Sequence, residues 1–244
     1  MTRRAAGPPI PPVPPVPPAP PAGTTAWYGK LPARGDFVSQ GFSAGHIRAW
    51  DGWLQGGLAL ASQRWAPIEL DRRLRAFPVW RFLAWPAGAA GAPWAGVMLA
   101  SHDRVGRAFP LTVGELLDVT NVPGLGWLDI EAALARMADV ALDAIDAVDS
   151  HAVEDFEAIL HSLGPVFAPA RVAARAAMRV QTQPGAKPVR PQQSPLDLLR
   201  NSPGTGSLWW SEPTPGAAQL PMGDSWPPHA GLLLELLHQP GDPD

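Results

Sequence analysis

Trp27-Tyr28-Gly29-Lys30-Leu31-Pro32-Ala33-Arg34-Gly35-Asp36-Phe37-Val38-Ser39-Gln40-Gly41-Phe42 is the stretch on which the fold of this chain turns. Trp27, Tyr28 and Leu31 have the apolar character of a short buried strand. Pro32 has no N–H for a central ladder, so the strand should stop there. Arg34-Gly35-Asp36 reads as a tight turn, because Gly tolerates positive φ and Asp bonds its own backbone. Phe37, Val38 and Phe42 then return to apolar residues that lead into a helix, with Trp27 and Phe37 expected in the core. One turn thus gathers Lys30, Arg34 and Asp36 between aromatic side chains.

Upstream of this stretch the composition changes abruptly. Residues 1–23 are dominated by Pro-Pro repeats and read as a disordered, polyproline-type leader, either a solvated tail or a ligand for a proline-reading groove. The leader lacks the apolar run of a secretory signal, and no window reaches the length of a membrane span. A folded domain is expected over residues 24–240, with a flexible Pro/Gln-rich loop within 181–205.

Downstream, Ser43 is placed to cap a helix from His46 to Trp65, with Ile47, Trp50, Leu54, Leu58, Ala61 and Trp65 on one face. Gly52, Gly56 and Gly57 weaken that helix, a run that suggests close approach of another backbone or an irregular turn. Pro67 should end it, leaving Arg72, Arg73 and Arg75 as a basic knot in a solvated loop. Residues 79–85, 94–100 and 108–113 read as successive strands joined by short turns, an antiparallel meander in which Pro110 calls for an edge or bulge. The turn Ser101-His102-Asp103-Arg104-Val105-Gly106-Arg107 is a second polar cluster.

Residues 128–148 show the cleanest amphipathic pattern, with Ile130, Leu134, Met137, Ala141, Ile145 and Val148 opposite Asp139, Asp143 and Asp146. A shorter helix over 153–163, a strand over 207–211 and a terminal helix over 229–238 complete the pattern. The segment 171–180 is a weak helix candidate.

The 244 residues contain eleven Trp, one Tyr and no Cys, so disulfides, thiolate metal sites and thiol nucleophiles are excluded. A net charge of −3 argues against a general nucleic-acid binder. Charge is unevenly distributed. Residues 30–107 hold ten Lys and Arg against five Asp and Glu; residues 108–170 hold one against eleven; residues 171–200 hold six against one. These faces either neutralise one another or orient a partner.

Ser101-His102-Asp103 does not read as a catalytic triad, since sequence neighbours in a turn point their side chains apart. The six His show no metal-ligand spacing, the acidic stripe lacks a calcium-loop pattern, and no phosphate-cradling Gly loop is present. No catalytic residue, metal or cofactor is therefore assigned. There remain the two polar turns, one with Lys30, Arg34 and Asp36, the other with Asp103, Arg104 and Arg107, and Arg81 expected beneath them. They form either a partner surface or an intramolecular clamp that sets loop shape.

The blocks Gly29-Lys30-Leu31-Pro32-Ala33-Arg34-Gly35-Asp36-Phe37 and Asp103-Arg104-Val105-Gly106-Arg107-Ala108-Phe109-Pro110-Leu111-Thr112 resemble those of the TagF (ImpM-like) family. Trp50-Asp51-Gly52-Trp53-Leu54, Val79-Trp80-Arg81-Phe82 and Ser207-Leu208-Trp209-Trp210 agree in order. The resemblance runs from Trp27 to about His238. It implies one α+β domain, an antiparallel sheet flanked by amphipathic helices. It also implies a non-enzymatic cytoplasmic regulator of type VI secretion in a Gram-negative bacterium. Such a protein would repress assembly post-translationally by binding a component such as the forkhead-associated scaffold Fha, without nucleic acid and without membrane insertion. Thr24 and Thr25, taken as part of the leader, are where a phosphothreonine reader could act. The competing readings are a hydrolase-like enzyme with a polar cleft near Asp36 and Ser101, and a structural accessory of the apparatus.

Overall fold

A computed structural model describes residues 21–85, 93–118, 125–148, 153–167, 196, 199, 206–211 and 222–238. The strands are β1 (Thr25–Gly29), β2 (Val38–Gln40), β3 (Trp80–Ala84), β4 (Trp94–Leu99), β5 (Leu111–Leu116), β6 (Ser207–Ser211) and β7 (Met222–Asp224). The helices are α1 (Ala44–Arg64), α2 (Pro67–Arg75), α3 (Trp127–Val148), α4 (Val153–Leu163) and α5 (Ala230–Leu237). Every strand pairs antiparallel in one sheet of order β2-β1-β5-β4-β3-β6-β7. The β3–β4–β5 meander follows the sequence pattern, and the α+β class is the one the family resemblance implies.

Helices cover both faces of the sheet, which is why β3, β4 and β5 are buried along their whole length. Alternate side chains serve opposite layers. Trp27, Leu83, Val97 and Val113 meet Leu134, Met137 and Phe156 of α3 and α4. Tyr28, Phe82, Trp94, Met98 and Trp209 meet Trp50, Trp53, Leu233 and Leu236 of α1 and α5.

Trp50, Trp53, Phe82, Trp94, Trp209 and Trp226 form one aromatic cluster on the α1 side, with ring centroids such as Phe82–Trp94 at 4.5 Å and Trp50–Trp53 at 4.7 Å. Buried indoles need acceptors. Trp50 Nε1 donates to Thr112 Oγ1 at 2.9 Å, Trp53 Nε1 to the His229 carbonyl at 3.1 Å and Trp209 Nε1 to Ser207 Oγ at 3.0 Å.

Ser43 caps α1 as its sequence position suggests, its hydroxyl accepting from His46 N–H at 3.2 Å. The helix is continuous through Gly52, Gly56 and Gly57. A Cβ on Gly57 would lie 2.5 Å from Leu233 Cβ, so α5 packs directly on the helix backbone there, while a Cβ on Gly52 would meet nothing within 4 Å among the described residues.

Several expectations are corrected. Pro67 does not merely follow α1; it opens α2 at its first turn, where a missing N–H is harmless. Arg72, Arg73 and Arg75 are therefore helical. Arg73 is buried, binds Glu69 at 2.7 Å, donates to the Leu237 carbonyl at 3.1 Å and lies 4.3 Å over the Trp65 ring. The third meander strand begins at Leu111, so Pro110 precedes an interior strand and needs neither edge nor bulge. The short edge strands β2 and β7 are not apparent from periodicity, since three residues define no period. Thr25 lies in β1 opposite Glu115 and Gly23 N–H bonds the Leu116 carbonyl at 2.8 Å, so order begins within the expected leader. Residues 1–20, the candidate helix 171–180 and most of the loop 181–205 lie outside the described residues. Leu196 and Leu199, inside that loop, are helical and buried.

His46 is held between Phe42, Trp94 and Trp226, with centroids 5.1, 4.7 and 5.3 Å away, and its Nε2 has no hydrogen-bond partner among the described residues. Burial pushes its imidazole down to about 4 from the ordinary 6.5. The unfolded chain therefore takes up the proton first as pH falls. The contribution of His46 to stability is constant above about pH 6.5 and declines toward pH 4, by on the order of 3 kcal/mol. Urea midpoints measured between pH 7 and 4.5 should fall in the wild type and stay nearly flat in His46→Phe.

Candidate functional site

β1 and β4 both flank β5 and both run antiparallel to it. Their C-terminal ends therefore meet at the start of β5, where Tyr28 and Met98 both pair with Thr112. The segments that follow, 30–37 and 100–110, emerge side by side at one end of the sheet. Sheet order thus joins two polar turns some seventy residues apart in sequence.

Asp103 is the centre of the join and is fully buried. Its Oδ2 accepts from Lys30 Nζ at 2.9 Å and from Arg107 Nε at 2.7 Å. Its Oδ1 accepts from the backbone N–H groups of Val105 at 3.1 Å and Arg107 at 2.9 Å. Burial would push this carboxyl up. The hydrogen bonds from Lys30 and from the backbone and side chain of Arg107, with the Lys30 charge, instead hold it well below the ordinary 3.8. Gly106 takes a positive φ of 81°, which closes the turn onto Asp103 through Gly106 N–H to the Asp103 carbonyl at 2.8 Å.

Further bonds stitch the two turns together. Arg104 N–H donates to the Arg34 carbonyl at 2.9 Å, Arg107 Nη2 to the Gly35 carbonyl at 3.3 Å and Ser101 Oγ to the Lys30 carbonyl at 2.7 Å. The Arg75 guanidinium donates to the Gly106 carbonyl, tying α2 to the same end. Tyr28 Oη bonds the Asp51 carboxylate of α1, and burial first, then this bond and the Asp51 charge, push the phenol well above its ordinary range.

The sequence-selected residues divide into three groups. Lys30, Asp103 and Arg107 form the clamp. Arg34, Asp36 and Arg104 are exposed around it, and neither Arg34 nor Arg104 makes a side-chain ion pair among the described residues. Arg81 does not join them. It lies on the α3 side of the sheet, buried, with its Nε 3.6 Å from Glu131 Oε2. Strand alternation decides this, since Arg81 shares a face with Leu83 and its neighbours Trp80 and Phe82 face α1.

Phe37 belongs to the site and not to the core. It is 42% exposed, stacks on Tyr28 at 5.6 Å, meets Phe109 edge-on at 4.8 Å and has Lys30 Nζ 5.2 Å from its centroid. Gly35 does not take a positive φ; the turn instead forms at Pro32–Ala33, closed by Arg34 N–H on the Leu31 carbonyl at 3.0 Å. Val105, 69% exposed at the tip of the second turn, went unselected. An apolar residue flanked by Arg104 and Arg107 in a polar turn was the available signal.

Ser101 Oγ is engaged with a carbonyl, and His102 Nδ1 lies 3.1 Å from the Asp103 carbonyl. Among the described residues no group of three or more His, Asp or Glu is placed to hold a metal ion, and no helix is long and apolar enough to cross a membrane. The arrangement presents a rigid, charged surface on a buried ionic clamp.

A family model described as the TagF N-terminal domain, type VI secretion system-associated, matches residues 26–163. Among solved structures, the crystal structure of PA0076 from Pseudomonas aeruginosa PAO1 is similar over 91% of this chain and 97% of its own, with 27% identity and a TM-score of 0.60. No curated protein matches the chain.

Proposed function

Because this chain belongs to the type VI secretion system-associated family defined by the TagF N-terminal domain, we propose that it is a non-enzymatic cytoplasmic regulator. It represses assembly of the secretion apparatus post-translationally by holding a component, the Fha scaffold protein. The observation that carries this reading is the division of labour at the joined turns. Asp103 and Lys30 are buried against each other, whereas Arg34 and Arg104 stand outside with no ion pair among the described residues. Arginines and aromatics of this kind are the side chains that dominate protein–protein binding energies. Repression then works by mass action, with the regulator occupying a surface that assembly needs.

Purified protein should capture purified Fha scaffold. The double variant Arg34→Glu/Arg104→Glu is expected to lose at least tenfold in affinity, about 1.4 kcal/mol. Its thermal midpoint should stay near that of the wild type, because both side chains are exposed. Wild-type affinity should weaken as salt is raised. Unchanged binding by a normally folded double variant would remove the site from this role. Stoichiometric copurification with the assembled apparatus would instead favour a structural accessory.

A further inference from the structure

Ile68 and Val105 are the two most exposed large apolar side chains among the described residues, at 87% and 69%. They sit on one continuous surface. Ile68, Arg72 and Arg75 follow one another at steps of four and three along α2, so they share a helix face. That seven-residue step covers about 10 Å. The Arg75 guanidinium then bonds the Gly106 carbonyl, which carries the surface onto the turn bearing Val105 and Arg104. Arg104 N–H in turn bonds the Arg34 carbonyl. The result is a ridge with an apolar side chain on α2, a second at the turn tip and arginines between and beyond them.

Charge on this end of the molecule is one-sided. Lys30, Arg34, Arg72, Arg73, Arg75, Arg104 and Arg107 stand against five carboxylates, Asp36, Asp51, Glu69, Asp71 and Asp103. Glu69 is shared, accepting from both Arg72 and Arg73, and Asp71 pairs with Arg75 at 2.7 Å, which leaves Arg34 and Arg104 as the cations of the ridge that face outward. The carboxylates are interleaved with the arginines, which disfavours a uniform polyanion. A nucleic-acid backbone also offers nothing apolar to Ile68 or Val105.

We infer that this ridge docks an acidic amphipathic segment of a protein partner, whose two apolar side chains seat on Ile68 and Val105 while its carboxylates pair with the exposed Arg34 and Arg104. The inference rests on the reading above that this end of the domain meets a partner, and it adds α2 and the chemistry of what binds.

The test uses the full chain and two fluorescent helical peptides of equal length and equal Glu content. One carries two leucines three turns apart, about 16 Å; the other carries serines there. The leucine peptide is expected to bind at least fivefold more tightly, and amide shifts should map to α2 and the turns at 30–37 and 100–110. Ile68→Ser and Val105→Ser should each lower its affinity at least threefold, Arg104→Glu at least tenfold, and Asp139→Asn on α3 should leave it unchanged. Equal binding of the two peptides, shifts on α3 and α4, or tighter binding of oligo-dT or of phosphatidylserine vesicles would each overturn the inference. So would self-association of the chain abolished by Arg104→Glu, which would assign the ridge to a second copy. The same variants with the Fha scaffold separate the two readings. Loss on Arg34→Glu/Arg104→Glu with no loss on Ile68→Ser and Val105→Ser leaves the proposed function standing and removes the ridge. Failure of the wild-type chain to bind the scaffold removes the function, while the peptide titration still decides the ridge.

Discussion

Asp103→Asn is expected to lower the thermal midpoint by on the order of 10 °C, the scale for breaking a buried ion pair in a domain of this size. The change preserves shape and removes charge. An amide oxygen can keep the backbone bonds from Val105 and Arg107. The amide nitrogen must then face Lys30 Nζ and Arg107 Nε, setting donor against donors and leaving the Lys30 charge buried without its counter-charge. Arg107→Ala should be much milder, since that side chain is 65% exposed and surface pairs contribute little. The pH dependence has a definite sign. The Asp103 carboxyl is held well below the 3.8 at which it titrates when unpaired. Its stabilising contribution is thus fully present above that pH and is lost as pH falls from there toward the depressed folded value. Urea midpoints of wild type and Asp103→Asn should differ most at neutral pH and converge below about pH 4. Parallel curves across that range would show that the carboxylate charge is not what holds the two turns together.

The second large effect lies in the sheet. Gly96→Ala is expected to destabilise the domain by about 3 kcal/mol or more, beyond the usual range of overpacking. A Cβ there would meet the Val113 carbonyl oxygen at 2.4 Å, Phe82 Cζ at 2.5 Å and Gly114 Cα at 3.0 Å. Two of those atoms are backbone of the neighbouring strand and cannot retreat without opening the β4–β5 ladder. The third is the tip of a ring packed against Trp50, Trp94 and Trp209. Gly52→Ala should act in the opposite direction. It sits in the helix interior with nothing within 4 Å of an added Cβ among the described residues, so the better helix former should add about 0.5–1 kcal/mol. Denaturant unfolding of both variants, compared at equal slope, checks the contrast. A stable Gly96→Ala protein would mean that the sheet can widen where its packing indicates it cannot.

Both residues show where sequence reading stops. Gly96 sits within a strand pattern and gives no hint that it makes room for Phe82 from a neighbouring strand. Asp103 looks like an ordinary turn aspartate, and its burial depends on Lys30 arriving from β1. The exposure of Phe37 is hidden for the same reason, since an aromatic after a turn carries no record of which side of the sheet end it covers. Arg72 to Arg75 look like a basic loop because charge dominates their composition. Pro67 at a helix start, with Glu69 placed to bond both Arg72 and Arg73, outweighs that impression.

The sequence alone determined the meander, the long amphipathic helix, the Ser43 cap and the two charged turns that carry the family resemblance. These features rest on periodicity, capping and turn chemistry, interactions within a few residues of one another. Tertiary structure decided that β1 lies beside β5, that the two turns therefore meet, that Asp103 and Lys30 are buried together and that Arg81 faces the other layer. Those outcomes depend on strand order and on the alternation of side chains across a sheet covered on both faces. Local sequence encodes neither, because each is fixed by which distant segments share a surface.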